Sequence, residues 1–398
     1  MTRHNVVDEN YPTVKSLFAL LFSGAFRPLF LVAGLYAPLA LLLWLGYLFG
    51  YMTLPAQSVN PLLWHSHEMI YGFVAAATGG FAFTAVANWT GRTPVQGTPL
   101  VSLCLLWMLG RFAMTLLEPG WQAMAMDLSY LALVIIILVR ELHLGQNRRN
   151  YIIAAMFSLL FVFNVIYHLE INGAMTASGG SMRGAIITVI LLVSLIGGRI
   201  IPAFSGNWLK ARNEKGSLPA AFGRLDRASL ICTVLVLASF VLFPYSGISG
   251  TVLIIAALLH AARLGRWQTG KIASEPLLLV LHIAYAWIPI GFLLLAASSF
   301  LSVSPSAGLH ALTIGAISTM IMAVAIRAGK GHSGRALTSD AKINLIFILI
   351  TLTAMTRVSS SLLTWDWLMP LSGLFWLLAF LVFIMVAVPI LVMPPTGH

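Results

Sequence analysis

Trp64-His65-Ser66-His67-Glu68-Met69-Ile70-Tyr71-Gly72-Phe73 stands where a loop without lysine or arginine, 51–63, runs into a long apolar stretch. About 20 apolar residues in helix cross a bilayer, and this stretch predicts such a span over 64–88. Two imidazoles and a carboxylate at the edge of a membrane span are costly to place unless they pair or bind something. The same ten residues therefore predict a membrane fold and, at one end of it, a redox metal or haem site.

The pattern repeats along the whole chain. Of 398 residues, 59% are hydrophobic and 9% charged, and the mean hydropathy is +0.91. A soluble surface needs roughly a quarter of its residues charged. The chain is therefore an all-α polytopic membrane protein with about twelve spans, placed near 27–50, 64–88, 99–117, 121–140, 150–170, 182–203, 223–243, 247–265, 276–300, 308–328, 341–362 and 369–391. The first is a true span and not a cleavable signal peptide, because many runs of equal length follow it.

The net charge of +11 does not imply nucleic acid. Its basic residues are dispersed among short loops, as topology signals are. Loops after the even-numbered spans carry Arg92, Arg140, Arg148, Arg149, Lys210, Arg212, Lys215, Arg263, Arg266, Lys271, Lys330 and Arg335, whereas 51–63, 244–248 and 301–307 hold no lysine or arginine. By the positive-inside rule both termini are cytoplasmic. The expected division is a cytoplasmic segment 1–26, a twelve-helix domain 27–391 and a cytoplasmic tail 392–398. Cys104 and Cys232 lie within spans and are read as packing residues, with a thiolate ligand as the alternative.

Three inner span ends look alike: Trp89-Thr90-Gly91-Arg92, Ser205-Gly206-Asn207-Trp208 and Ser333-Gly334-Arg335. They lie four spans apart, which suggests three four-helix units about a pseudo-threefold axis. His67 precedes Arg92 by 25 residues, His310 precedes Arg335 by 25, and Arg183 precedes Trp208 by 25.

With this topology His65, His67, His168 and His310 fall near the outer face. His260, His282 and His332 fall toward the inner one. Residues two apart on a regular helix project about 200° apart, so His65 and His67 cannot both ligate one ion. One of them is expected to face His310 across the bundle, and the pair could hold a haem iron. Glu68 could orient an imidazole, and Met69 offers a soft donor suited to copper. Arg111 and Arg183 are candidate partners for haem propionates; alternatively, Arg111 pairs with Asp127 across neighbouring spans. His168 is a further metal candidate. His260, His282 and His332 are candidates too, although a lone helical imidazole is commonly satisfied by a carbonyl or hydroxyl, and His332 by a turn. No CxxCH occurs, so any haem would be b-type. Small residues in Gly72–Gly80 and Ala311–Thr319 permit close helix approach and would also clear room for a macrocycle.

The residues resemble those of the NnrS family. The matching pieces are Phe26-Arg27-Pro28-Leu29-Phe30-Leu31, the Trp64–Phe73 element, Asn88-Trp89-Thr90-Gly91-Arg92, the stretch Arg199–Asn207, and His310–Gly315 through Gly331-His332-Ser333-Gly334-Arg335. The resemblance implies a bacterial inner-membrane protein carrying haem and copper and linked to nitric oxide metabolism or resistance. The layout is also similar to that of haem-copper oxidases and nitric oxide reductases. Spans 6 and 7 hold no histidine, however, so the three-histidine copper site of those enzymes is absent and oxidase-type oxygen chemistry is put in doubt. The leading expectation is a haem- and copper-binding protein acting on nitric oxide in the bilayer, as an oxidoreductase with an electron donor or as a non-catalytic sensor. The competing expectation is a secondary transporter of a metal, a haem-related species or a small anion, with Pro38, Pro202, Pro276 and Pro289 breaking helices near its site.

Overall fold

The computed structural model describes residues 14–53, 60–176, 178–214, 216 and 218–395. Lys215, the N-terminal residues 1–13 and His398 lie outside them. Among the described residues there is no strand, and twelve helices are long and apolar enough to cross a membrane. The all-α polytopic architecture expected from composition is the one observed. A short helix, Val14–Leu21, precedes the first span.

The burial pattern is that of a protein in lipid. Leu42, Leu105, Ile136, Ile231, Leu258 and Leu381 point outward, whereas Arg27, His67, Glu68, Asp127, His168 and Arg263 are buried. Charged groups in a hydrocarbon layer are stable only where they face the bundle and one another.

Span 1 (Phe26–Leu48) packs against span 12 (Leu368–Val392), which joins the two ends of the chain and closes the bundle into a ring. Three spans are longer than all the others: Pro61–Thr90 with 30 residues, Gly180–Ala211 with 32 and Pro305–His332 with 28. These are spans 2, 6 and 10, the equivalent members of the three suspected units, and they are also the most buried. Hydropathy underestimates their length because their ends are polar. Span 6, expected to stop at 203, continues through Ser205-Gly206-Asn207-Trp208 to Ala211.

Spans 2 and 10 are built alike from their first residue. Asn60 caps one with its side chain on Leu62 N–H and Pro61 following; Ser304 caps the other on Ser306 N–H with Pro305 following. Proline fits the first helical turn because its missing N–H would be unpaired there anyway. Each span then departs from α geometry just after its histidine, as a π-helical segment over Glu68–Val74 in span 2 and over Ala311–Ser318 in span 10. Wide turns of this kind concentrate at functional sites.

Each π segment carries a glycine at the same step, and a neighbouring ring occupies the space a side chain would fill. A Cβ on Gly72 would lie 2.4 Å from Tyr36 Cε1, and one on Gly315 would lie 2.4 Å from Trp287 Cγ. The small residues of these spans thus admit aromatic side chains from spans 1 and 9. Pro38, Pro202 and Pro289 sit inside uninterrupted helices, and Pro276 is in the first turn of span 9. None of them breaks a span.

Candidate functional site

The first and last described residues, Val14 and Pro395, lie on one side of the bundle, because twelve spans separate them. At the opposite end the outer histidines form two clusters, not one. The turn between His65 and His67 sends their side chains apart, as a regular helix requires.

His67 points inward and is fully buried. Its Nδ1 meets Glu68 Oε1 at 2.9 Å, while its Nε2 lies 3.1 Å from Asp127 Oδ2 and 3.0 Å from Asn164 Oδ1. His168 Nε2 reaches the same Asp127 Oδ2 at 3.1 Å, and Asn164 Nδ2 donates to it at 2.7 Å. Ligand atoms of His67, Asp127 and His168 all lie within 4.8 Å of one another. Arg111 donates to Glu68 at 2.5 Å and also to Asp127 Oδ1, and the Tyr36 hydroxyl donates to Glu68 Oε2. Tyr167 stacks on the His67 ring at a centroid distance of 4.4 Å.

Two kinds of accounting show what this cluster requires. Glu68 and Asp127 bring two negative charges into a dry interior and Arg111 returns one positive charge, so one more cation balances the set. The hydrogen bonds say where it belongs. With its Nδ1–H given to Glu68, a neutral His67 has only a lone pair at Nε2, yet that nitrogen faces two oxygen acceptors. Either a second proton or a metal ion must sit there. Two imidazoles and a carboxylate are a donor set that suits copper, zinc or iron. His168 Nδ1 is buried without a hydrogen-bond partner, as is Tyr167 OH.

The second cluster contains His65 and His310. His65 stacks on Trp44 with ring centroids 4.7 Å apart, and its buried Nδ1 has no partner. His310 is held through Nδ1 by the Ser306 carbonyl at 2.8 Å, a contact that fixes the ring and leaves Nε2 as the nitrogen available to a ligand. The two imidazoles and Arg357 of span 11 are within electrostatic reach of one another. Arg357 donates to Ser360, Ser361 and Ser306 hydroxyls, and no carboxylate pairs with it among the described residues.

The remaining candidates fall elsewhere. Arg111 belongs to the His67 cluster through the Asp127 pairing. Arg183 is spent on the carbonyls of Phe240 at 3.1 Å and Ser178 at 2.9 Å. Met69 is half-buried against the hydrophobic core. His260 has Thr233 and Tyr285 hydroxyls on its two nitrogens at 2.9 and 2.8 Å; His282 has Ser205 and Thr269 at 3.0 and 2.8 Å. His332 is exposed at the opposite end, beside Phe26. Cys104 and Cys232 are buried and free.

Asn164, Tyr36 and Arg357 had not been singled out, and Asp127 only as a partner for Arg111 and as a carboxylate well inside a span. A signal was present for two of them. Asp127 and Arg357 are ionisable residues inside spans, which mark sites by default.

No curated protein matches the chain. The family model for NnrS protein matches residues 20–394, a stretch that includes every residue of both clusters. A match of that extent, on a multi-span helical bundle, settles the family: this chain is a membrane protein of the NnrS family.

Proposed function

We propose that the protein binds haem b and copper at the end of the bundle away from its termini, and acts there on nitric oxide in the bacterial inner membrane. The observation that carries the metal reading is the His67–Asp127–His168 group: buried, one positive charge short, with acceptors converging on His67 Nε2. This group would hold copper. His65 and His310 would ligate the haem iron, with Arg357 as the propionate partner in place of Arg111 and Arg183, which are engaged elsewhere. The nitric oxide assignment rests on family membership.

When bound, a haem iron would supply a site for nitric oxide and a copper ion would supply one-electron chemistry. The chain's own residues set the conditions. Glu68 and Ser306 fix the orientation of His67 and His310, Arg111 neutralises part of the carboxylate charge, and Tyr36 and Tyr167 close the copper group off from lipid and water. A small uncharged gas reaches such a site through the bilayer without a polar channel.

The test is cofactor content and protection measured together. Purified wild type should show a Soret band, a b-type haemochrome and bound copper. His65→Ala and His310→Ala should lose or alter the haem spectrum and keep copper; His67→Ala, His168→Ala and Asp127→Asn should lose copper. His143→Ala, exposed at the end of the helix Trp121–Leu144, should change neither. A deletion strain under nitric oxide stress should be rescued by wild type and not by His67→Ala or His310→Ala at matched expression. Equal spectra and metal content across the variants would sink the site assignment, and full rescue by both histidine variants would move the reading to a transporter.

A further inference from the structure

At the termini end, spans 2, 6 and 10 part to leave a cavity of about 450 Å³. It is remote from both histidine clusters. Arg199 of span 6 and Arg327 of span 10 line it, with Trp89 and Phe204 as aromatic walls and His332 at its mouth. Deeper in, Phe81, Ile196, Ile200 and Val324 form an apolar roof, and the same four residues line a second cavity of about 60 Å³ further along the bundle. The space is thus lined both by two guanidiniums and by a patch of apolar side chains.

Among the described residues, the groups in direct contact with the two guanidiniums are neutral. Arg199 donates to the Asn150 side-chain oxygen at 2.9 Å, and Arg327 lies over the Phe204 ring at 4.3 Å. Glu275 is the acid whose charge reaches Arg327, from beyond salt-bridge distance. Among the described residues no carboxylate forms an ion pair with either one. At the same end of the bundle Arg92 is treated differently, with its Nε 2.8 Å from Glu141. Topology requires positive charge in loops and at span ends. It does not require two unpaired guanidiniums turned into one cavity from two different helices.

We infer that this vestibule is a binding site for an amphipathic anion, a carboxylate or phosphate group carried on an apolar body. The acid group would bridge Arg199 and Arg327, since guanidinium presents paired donors to such oxyanions. The body would lie against Phe81, Ile196, Ile200 and Val324, where its burial adds to the affinity. The same head chemistry is available from a free amphiphile in the cytoplasm and from an anionic lipid of the bilayer. Because the site spans helices 6 and 10, an occupant ties together two of the three core spans and should stabilise the fold by mass action. The inference is independent of the haem and copper assignment.

The experiment uses the full chain in phosphatidylcholine nanodiscs. Laurate is titrated while binding and melting temperature are followed, and a parallel set of discs contains phosphatidylglycerol. Inorganic phosphate serves as a head group without a body. We expect laurate to bind and raise the melting temperature, with Arg199→Gln and Arg327→Gln each weakening it about tenfold or more, the size of a lost charged hydrogen bond. Phe81→Trp, which fills the roof and leaves both charges, should weaken it as well. Arg212→Gln, whose guanidinium lies over Trp208 outside this cavity, should change nothing. Stabilisation by phosphatidylglycerol without laurate binding would assign the ligand to the bilayer. The inference is overturned if neither amphiphile binds, if phosphate binds as well as laurate, or if the two arginine variants and Phe81→Trp all bind like wild type.

Discussion

Arg111 shows what a single side chain contributes when, among the described residues, it is the one arginine or lysine paired with both Glu68 and Asp127. It donates to Glu68 and Asp127 at once. Replacing it by leucine leaves both acids without that charge in a low-dielectric interior, and removing one partner of a buried pair typically costs about 3–5 kcal/mol. Arg111→Leu should therefore melt well below wild type in detergent, and an unchanged melting temperature would refute the pairing. Glu68→Gln should act differently. It keeps the shape but removes the charge, weakening the orienting contact on His67 Nδ1 together with the Arg111 and Tyr36 contacts, so copper affinity should fall about 10- to 100-fold without being abolished, as read by competition with a chelator. Were Glu68 itself an essential ligand, copper would be lost outright.

At the scale of the element, the two π segments are the informative feature. His67 is followed by Glu68–Val74 with Gly72 inside it, and His310 by Ala311–Ser318 with Gly315 inside it. The common spacing to Arg92 and Arg335 thus extends to the start of the π segment and to the glycine, and each span also opens on a capping side chain followed by proline, which makes spans 2 and 10 structural counterparts. Span 6 shares their length but has an arginine, Arg183, at the matching place. Both glycines have an aromatic ring where a Cβ would sit, so overpacking predicts that Gly72→Ala and Gly315→Ala destabilise by about 1–3 kcal/mol. Gly331 has nothing nearer than Leu337 at 3.9 Å and should accept alanine. Thermal melting of the three variants checks this, and equal melting would mean that the rings do not hold these positions. Gly72→Ala should in addition lower copper content, because displacing Tyr36 removes its hydrogen bond to Glu68.

For the whole molecule, twelve spans put both chain ends on one side, and the excess of arginine and lysine on that side argues that it is the cytoplasm. Reporter fusions at either end should behave as cytoplasmic, with a phosphatase inactive and a fluorescent protein bright. Phosphatase activity at the C-terminus would overturn the orientation. The ring closed by spans 1 and 12 around spans 2, 6 and 10 also explains how the molecule holds so many buried ionisable groups. They collect on the inner spans and on the inward faces of their neighbours, where other protein groups and not lipid surround them.

The fold class was legible in the sequence because a bilayer imposes a length and a polarity on every span, and those are local properties of consecutive residues. The candidate region was legible for the same reason, since His65, His67 and Glu68 at a span boundary violate a local rule. Tertiary structure alone decided the grouping. His67 joins His168 through Asp127 while His65 joins His310; the two-residue spacing separates His65 from His67, but nothing in it says which of them meets His310 and which meets His168. Nor does spacing show that Arg111 is consumed by two carboxylates and Arg183 by carbonyls, leaving Arg357 with only hydroxyl partners. The physical reason is that sequence periodicity fixes which face of a helix a residue occupies, whereas the partner across the gap depends on how twelve helices pack. The π turns after His67 and His310 alter even that face, and the rings of Tyr36 and Trp287 from other spans pack against their glycines.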